Sequence, residues 1–160
     1  MDGGRMSDDR TGLADELCTL VDRRLVDPLE ILLDSPELLT LLREHVAAQV
    51  GEWAHDLLGH DPAAAMSTAS RLLAALFDGD DFSPPTAWWQ SAFGQIVARR
   101  IGYPGRSALS GVQAAAMLGI SRQGVHDLVR RGKLGTDEDG RILTASVQER
   151  LAPSGHEVAG

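Results

Sequence analysis

Residues 110–132 read SGVQAAAMLGISRQGVHDLVRRG and contain two short helical patterns on either side of a Gly-Ile-Ser turn. Apolar residues recur three and four positions apart in each pattern, which is the spacing of one face of an α-helix. These positions are Ala114, Ala115 and Leu118 in the first pattern and Val125, Leu128 and Val129 in the second. The stretch therefore predicts two consecutive short helices, each with one apolar face.

Four positions around the turn match the requirements of a helix-turn-helix. Ala115 is small where the two helices cross, and Gly119 tolerates a left-handed backbone at the end of the first helix. Ile120 can fill the turn as an apolar plug, and Ser121 can act as the N-cap of the second helix. A plain helical hairpin would need the periodicity but neither the small residue nor the glycine, so the stretch favours a true helix-turn-helix.

The residues after the second helix predict a small hairpin and a last helix. Residues 132–140 can end the second helix and form a loop with Asp-Gly at its tip, and residues 141–143 can return as a strand. Thr144 can then cap a final helix, with Val147 and Leu151 on its inner face. The predicted order is helix, turn, helix, two-stranded wing and short helix.

This order of elements resembles the winged helix-turn-helix of the MerR and excisionase type. Residues 121–126, SRQGVH, resemble the start of that family's recognition helix. Residues 141–147, RILTASV, resemble the segment where its wing returns into a final helix. The resemblance covers residues 107–152, about a third of the chain. It implies a winged domain over residues 105–152 that binds double-stranded DNA with its recognition helix in the major groove.

The preceding residues predict an N-terminal helical lobe over residues 11–104, which makes the whole protein mainly α. Apolar stripes place about four helices, at residues 11–26, 36–58, 62 to about 78, and 86 to 100. Ser35-Pro36 and Asp61-Pro62 are helix-start signals, and Asp27-Pro28 is expected to end the first helix. The fourth helix is expected to turn four apolar residues inward, namely Trp89, Phe93, Ile96 and Val97.

The ends and the composition of the chain bound its class. Residues 1–10 and 153–160 are expected to be disordered, and the first of these segments lacks the apolar core of a secretory signal. No run of apolar residues is long enough for a transmembrane helix. Cys18 is the only cysteine, which excludes an internal disulfide and a thiolate metal cluster. We therefore expect a cytoplasmic protein that does not bind membranes.

Charge is segregated along the chain, although the net charge is only −8. Residues 1–87 carry 17 acids and 6 arginines, a balance of −11, and residues from 134 onward contribute −3. Residues 88–133 carry seven basic side chains and one acid, Asp127, a balance of +6. A basic segment that ends with the helix-turn-helix is the pattern expected of DNA contact. The alternative is an ordinary solvated surface in an acidic protein.

The predicted DNA contacts lie on the second helix and beside it. A helix that begins after Ser121 and turns Val125 inward exposes side chains that can pair with guanine or adenine, and its first N–H groups can hold a phosphate. The cations at the far end of the helix can reach further phosphates. The candidate contacts are Ser121, Arg122, Gln123, His126, Arg130, Arg131, Lys133 and Arg141.

Two features depart from the family pattern. Gly124 lies inside the recognition helix, where glycine costs roughly 1 kcal/mol relative to alanine. The wing tip, residues 137–139, is Asp-Glu-Asp, whereas the family's wing presents arginine or lysine to DNA. Only Lys133 and Arg141 remain as favourable wing contacts. Carboxylates at the tip would repel DNA if they pointed toward it.

The sequence contains no arrangement typical of an enzyme. His55 and His60, each followed by an aspartate, do not have the spacing of a metal site, and no phosphate-binding loop or nucleophile elbow is present. We therefore expect no enzymatic activity, no cofactor and no metal.

The favoured function is sequence-specific binding of double-stranded DNA, by a small bacterial transcriptional regulator or architectural factor. One recognition helix contacts only a few base pairs, so we expect a homodimer that is held by the N-terminal lobe. The alternative is a protein-interaction adaptor, or an antitoxin-like protein, whose helix-turn-helix has weak or no DNA affinity. In that case the acidic N-terminal lobe would dock a protein partner.

Overall fold

The chain is mainly helical, in agreement with the predicted fold class, and carries one two-stranded antiparallel sheet in the part that the structure describes. The structure is a computed structural model and describes residues 3–77 and 82–152. The chain divides into two units, residues 1–81 and residues 82–160. Within the described residues, no helix is both long and apolar enough to cross a membrane.

The first unit consists of α1 (Gly3–Val21), α2 (Asp27–Leu32), α3 (Pro36–Leu58) and α4 (Pro62–Leu76). Helix α1 begins at Gly3, so the expectation of disorder over residues 1–10 is wrong from residue 3 onward. These residues are exposed and mostly polar, but an existing helix grows by one hydrogen bond per added residue, which favours extension. Residues 1, 2 and 153–160 of the expected disordered ends lie outside the described residues.

Asp27-Pro28 does not end the helical backbone, which corrects the predicted stop. Residues Asp22–Val26 form a π-helical turn between α1 and α2, and both Val26 and Asp27 keep right-handed helical backbone angles. Pro28 falls in the first turn of α2, where the missing N–H of proline is not needed. The helical backbone ends only at Leu33, which is extended.

Helices α1, α3 and α4 bury their apolar stripes within the first unit, with α3 packed against both of the others. The buried residues are Leu13, Leu17 and Val21 of α1, Leu39, Val50, Ala54 and Leu57 of α3, and Leu72, Leu73 and Leu76 of α4. Asp61 caps α4 as predicted, because its carboxylate accepts from the N–H groups of Ala63 and Ala64. Ser35 precedes α3 as predicted but makes no side-chain cap. Other members of the predicted stripes, namely Leu20, Leu42, Val46 and Trp53, are half-buried.

The second unit consists of a 3₁₀ segment (Thr86–Gln90), α5 (Ala92–Arg100), β1 (Ala108–Leu109), α6 (Gly111–Leu118), α7 (Arg122–Arg130), β2 (Ile142–Leu143) and α8 (Thr144–Leu151). The predicted fourth helix is thus interrupted at Ser91, whose hydroxyl accepts from the Gly94 N–H at 3.0 Å. A Cβ on Gly94 would clash with the Trp88 carbonyl oxygen, so the chain turns sharply here. The residues predicted to point inward, Trp89, Phe93, Ile96 and Val97, are all buried.

Contacts across residue 104 explain why the unit boundary lies at residues 81 and 82 and not at 104 and 105. Before residue 104, Tyr103 packs against Trp89 and Phe82, with ring centroids 5.1 Å and 5.7 Å apart. Across residue 104, α5 packs against α6 and α8. Gln148 of α8 donates to the Arg99 carbonyl at 2.9 Å. Helix α5 therefore belongs to the same unit as α6, α7 and α8, which reduces the first unit to α1–α4.

The small sheet differs from the predicted hairpin. Strand β2 pairs with β1, with Ala108 opposite Leu143 and Leu109 opposite Ile142. The hairpin itself contains one bridge pair, Thr136 and Ile142, and two further backbone hydrogen bonds, from Asp137 N–H to the Arg141 carbonyl and from Leu143 N–H to the Gly135 carbonyl. The Thr144 hydroxyl donates to the Arg106 carbonyl at 2.7 Å, so Thr144 anchors α8 to the residues before β1 instead of capping the helix. The sequence interpretation missed β1, because a two-residue strand has no periodicity to detect.

Candidate nucleic-acid interface

The turn between α6 and α7 has the predicted backbone geometry. Gly119 has φ 69° and ψ 32°, in the left-handed region, and its N–H bonds to the Ala115 carbonyl at 2.9 Å. The Ser121 hydroxyl accepts from the Gly124 N–H at 3.0 Å, which confirms it as the N-cap of α7. Ile120 is exposed and is therefore not an interior plug. Its side chain lies beside the open face of Gly124 instead.

Two glutamines that the sequence interpretation missed hold the end of α6. Gln90 donates to the Ala116 carbonyl at 2.6 Å, and Gln95 donates to the Met117 carbonyl at 3.0 Å. The last carbonyls of a helix have no partner within the helix, so these amides satisfy acceptors that would otherwise need water. The turn before α7 is thereby fixed to the 3₁₀ segment and to α5. No sequence pattern distinguishes a glutamine that bonds to the end of another helix from one that faces solvent.

Helix α7 buries one face and exposes the other. Val125 is buried, and Leu128 and Val129 are half-buried, as the apolar spacing predicts. All the predicted contact residues of this region are exposed, namely Ser121, Arg122, Gln123, His126, Arg130, Arg131 and Lys133. Residues four apart lie on neighbouring turns of a helix, so Arg122, His126 and Arg130 form one row along the exposed surface. The exposed face of α7 thus presents hydrogen-bond donors and acceptors of the kind that contact base edges.

Asp127 lies within this exposed face and bonds to two of the predicted contacts. Its Oδ1 accepts from Arg130 Nη2 at 2.5 Å and from Gln123 Nε2 at 3.4 Å. The hydrogen bond from Arg130 is the main cause that holds the pKa of Asp127 below its ordinary value. The spacing of three and four residues between these side chains could have revealed the cluster from the sequence.

The wing tip is organised by Asp137. Its Oδ1 accepts from the N–H groups of Asp139 at 3.0 Å and Arg141 at 2.8 Å, and its Oδ2 accepts from Arg141 Nε at 3.1 Å. The backbone hydrogen bond from Arg141 is the largest cause of the lowered pKa of Asp137. Asp137 is therefore a turn-building residue, which leaves Glu138 and Asp139 as the exposed carboxylates of the tip.

Arg141 is exposed, but it is engaged by the acidic tip. Besides its bonds to Asp137, its Nη2 lies 3.7 Å from Asp139 Oδ2. A DNA phosphate would have to compete with both carboxylates for this guanidinium. Arg141 is therefore held in ion pairs, whereas Lys133 forms no ion pair with residues 3–77 and 82–152.

The other cations of the basic segment lie outside α7. Burial lowers the pKa of Arg99, with a smaller contribution from the neighbouring charge of Arg100. Arg106 lies over the Tyr103 ring, 5.3 Å from its centroid. These residues contribute to the positive charge of the second unit, but they are not on the exposed face of α7.

In the described part of the chain, no group of three or more histidine, cysteine, aspartate or glutamate residues could hold a metal ion. Comparisons with protein-family models, with curated proteins and with solved structures found no match for this chain.

Proposed function

We propose that residues 105–152 form a winged helix-turn-helix of the MerR and excisionase type. In this proposal the protein binds double-stranded DNA sequence-specifically, with α7 in the major groove, and acts as a small bacterial transcriptional regulator or architectural factor. One observation carries the proposal. A capped helix with exposed Arg122, Gln123 and His126 follows a left-handed glycine turn, within the basic segment of an otherwise acidic chain.

The chemistry of the exposed α7 face fits base edges and phosphates. Arginine can donate two hydrogen bonds to guanine, and glutamine can bond bidentately to adenine. The first turn of α7 presents backbone N–H groups at the positive end of the helix dipole, where a phosphate binds favourably. Arg130, Arg131 and Lys133 follow at the other end, at a position suited to phosphates further along the groove.

The acids near α7 reduce the positive charge but do not cancel it. Residues 121–133 carry four cations, namely Arg122, Arg130, Arg131 and Lys133, against the one carboxylate of Asp127. Binding to DNA would release the counterions condensed around the contacted phosphates, so affinity should depend on salt. Because one α7 spans only a few base pairs, useful specificity requires two copies of the protein on two half-sites.

The test is a titration of full-length protein against a random-sequence DNA duplex at about 50 mM and about 200 mM salt. We expect binding at the lower concentration and a drop of at least tenfold in affinity at the higher one. Arg130→Ala/Arg131→Ala should weaken binding on every sequence and flatten the salt dependence. The matched control is Arg5→Ala/Arg10→Ala on the exposed start of α1, which removes the same charge elsewhere and should leave affinity nearly unchanged.

Specificity needs a second measurement, on a duplex selected from the random pool. Arg122→Ala/Gln123→Ala should reduce the preference for the selected duplex by about one or two powers of ten, because each lost base contact costs about 1–3 kcal/mol. Absence of any binding at about 50 mM salt would contradict the proposal.

A second candidate function is a protein-interaction adaptor or antitoxin-like protein. It is favoured by the carboxylates of Asp127, Asp137 and Asp139, which engage cations that DNA would need. On this hypothesis the Arg130→Ala/Arg131→Ala variant and the wild type would be equally inert toward DNA. The titration therefore separates the two functions.

A further inference from the structure

The turn from α2 to α3 exposes a group of large aliphatic side chains, which we name the aliphatic corner. Ile31 and Leu32 at the end of α2 are 87% and 77% exposed. Leu33 in the turn is 39% exposed, and Leu38 and Leu41 near the start of α3 are 51% and 62% exposed. Five large aliphatic residues thus face solvent within an eleven-residue stretch, residues 31–41.

The corner does not arise from a failure of the first unit to bury its core. Val26, just before α2, and Leu39 of α3 are buried in the first unit, whereas α2 itself buries no residue. Leu38 and Leu41 are three residues apart on α3 and share its outer face. Scattered exposed leucines need no explanation, whereas a contiguous apolar patch on a protein surface usually marks an interaction site.

We infer that the aliphatic corner is the interface between two copies of this chain. With a fully exposed aliphatic side chain counted at about 120 Å², the observed exposures amount to roughly 350–400 Å² of apolar side-chain surface on each copy. A standard interface buries about 800 Å² per partner, of which a little more than half is apolar. The corner alone therefore supplies most of the apolar area that such a dimer needs. In a two-fold symmetric contact the same patch serves both sides.

The charges around the corner discriminate between a second copy and a basic protein partner. Its rim carries Asp27, Glu30, Asp34 and Glu37, with Arg43 bound to Glu30 at 2.9 Å and lying 3.7 Å from Asp27. Like charges on the rims of two copies would repel each other. Salt weakens that repulsion, because the screening length is about 8 Å at physiological ionic strength and shorter at higher salt. Self-association should therefore tighten as salt rises, whereas a basic partner would be released.

The dimer would supply the two copies that two half-sites require, so its use in the cell rests on the proposed function. The association itself can be measured without DNA. A full-length protein that binds DNA but stays monomeric at about 100 µM would overturn this inference alone. A dimer without DNA affinity would overturn the proposed function alone.

The experiment is sedimentation equilibrium of the full chain at concentrations from about 1 to 100 µM. We expect a dimer with a dissociation constant near the micromolar range, and a lower constant at about 500 mM salt than at about 50 mM. Ile31→Glu/Leu32→Glu should raise the dissociation constant at least thirtyfold. These side chains lie in solvent, so the fold should tolerate the change, and far-UV circular dichroism checks that it does.

Two further variants test whether the aliphatic corner is the surface that forms the dimer. Leu41→Glu, on the α3 side of the corner, should weaken the dimer as well. Met6→Glu/Met66→Glu introduces the same two charges at half-exposed apolar positions of the first unit outside the corner, and should leave the dimer intact. A chain that stays monomeric at about 100 µM, a dimer that survives the corner variants, or a dimer that weakens as salt rises would each overturn the inference.

Discussion

The Arg130 guanidinium donates a hydrogen bond to the Asp127 carboxylate, three residues earlier on α7. Asp127 is the one acid of residues 88–133, and it lies on the face proposed to meet DNA. Free Arg130 would be a full positive charge directed at phosphates, whereas paired Arg130 must first leave its carboxylate. If α7 binds DNA as proposed, this pair would weaken its attraction to phosphates.

Asp127→Asn should tighten DNA binding about two- to fivefold at low salt, the range expected for one exposed charge pair. The gain should shrink at about 200 mM salt, because the effect is electrostatic. Fluorescence anisotropy on one duplex measures both values. Asp15→Asn on α1 makes the same charge change on the first unit and serves as the control. Weaker binding by the α7 variant would instead show that Asp127 positions Arg130 and Gln123 for contact.

Gly124→Ala and Gly119→Ala should change stability in opposite directions. A Cβ on Gly124 would lie at ordinary contact distance, 3.4 Å, from Ile120 Cδ1 and Ser121 Oγ. Alanine is the better helix former, so we expect about 0.5–1 kcal/mol of added stability. Gly119 has a positive φ, and a Cβ there would lie 2.8 Å from Gln90 Oε1. Its alanine variant should lose more than about 1 kcal/mol.

Urea unfolding of both glycine variants provides the measurement. A lower urea midpoint for Gly124→Ala would show that a methyl group at this position does not fit beside Ile120 and Ser121. Its DNA affinity answers a separate question. A stabilised variant with strongly reduced DNA binding would mean that the DNA backbone approaches Gly124 too closely for a methyl group.

Glu138→Gln/Asp139→Asn should tighten DNA binding several-fold at about 50 mM salt if the wing approaches the duplex. The change removes two exposed carboxylates and retains Asp137, which builds the turn. The gain should decline with added salt, because screening weakens the repulsion that the wild-type tip exerts on phosphates. An affinity equal to that of the wild type at both salt concentrations would exclude the wing from the DNA interface.

Asp137 should make the stability of the wing depend on pH. Its pKa is lowered in the folded protein, so its stabilising contribution is present above the ordinary aspartate pKa of about 3.9 and is lost as pH falls through the lowered value. The difference in free energy of unfolding between wild type and Asp137→Asn should be constant above about pH 5 and shrink in more acidic solution. Glu138→Gln is the control, because it removes a neighbouring carboxylate and leaves the bonds of Asp137 in place. A difference that grew on acidification would contradict the assigned sign.

Local backbone requirements were predictable from the sequence. Gly119 and Ser121 have the predicted conformations because a left-handed turn and an N-cap each depend on a few neighbouring atoms. The start of α3 at Pro36 and the cap of α4 at Asp61 were predictable for the same reason. The inward direction of Val125 follows from helical spacing alone.

Features that depend on contacts distant in sequence were not predictable in this way. Strand β1 is defined only by its pairing with β2, more than thirty residues later. The unit boundary depends on the packing of α5 against α6 and α8, which includes the bond between Gln148 and Arg99. Ile120 was predicted to fill the turn because it is apolar and lies between Gly119 and Ser121, but the sequence does not show how far its side chain lies from the core.

The π-helical turn at residues Asp22–Val26 sets the direction in which α2 points. A π turn accommodates one residue more than an α-helical turn of the same rise, so it acts as a one-residue insertion within an otherwise continuous helix. If the same residues formed an uninterrupted α-helix from Gly3 to Leu32, the residues after the turn would be rotated by about 100° around the helix axis relative to α1. Ile31 and Leu32 would then face a different side of the molecule. The side of the molecule on which these aliphatic residues lie is thus set by the π turn before them, independently of their own identity.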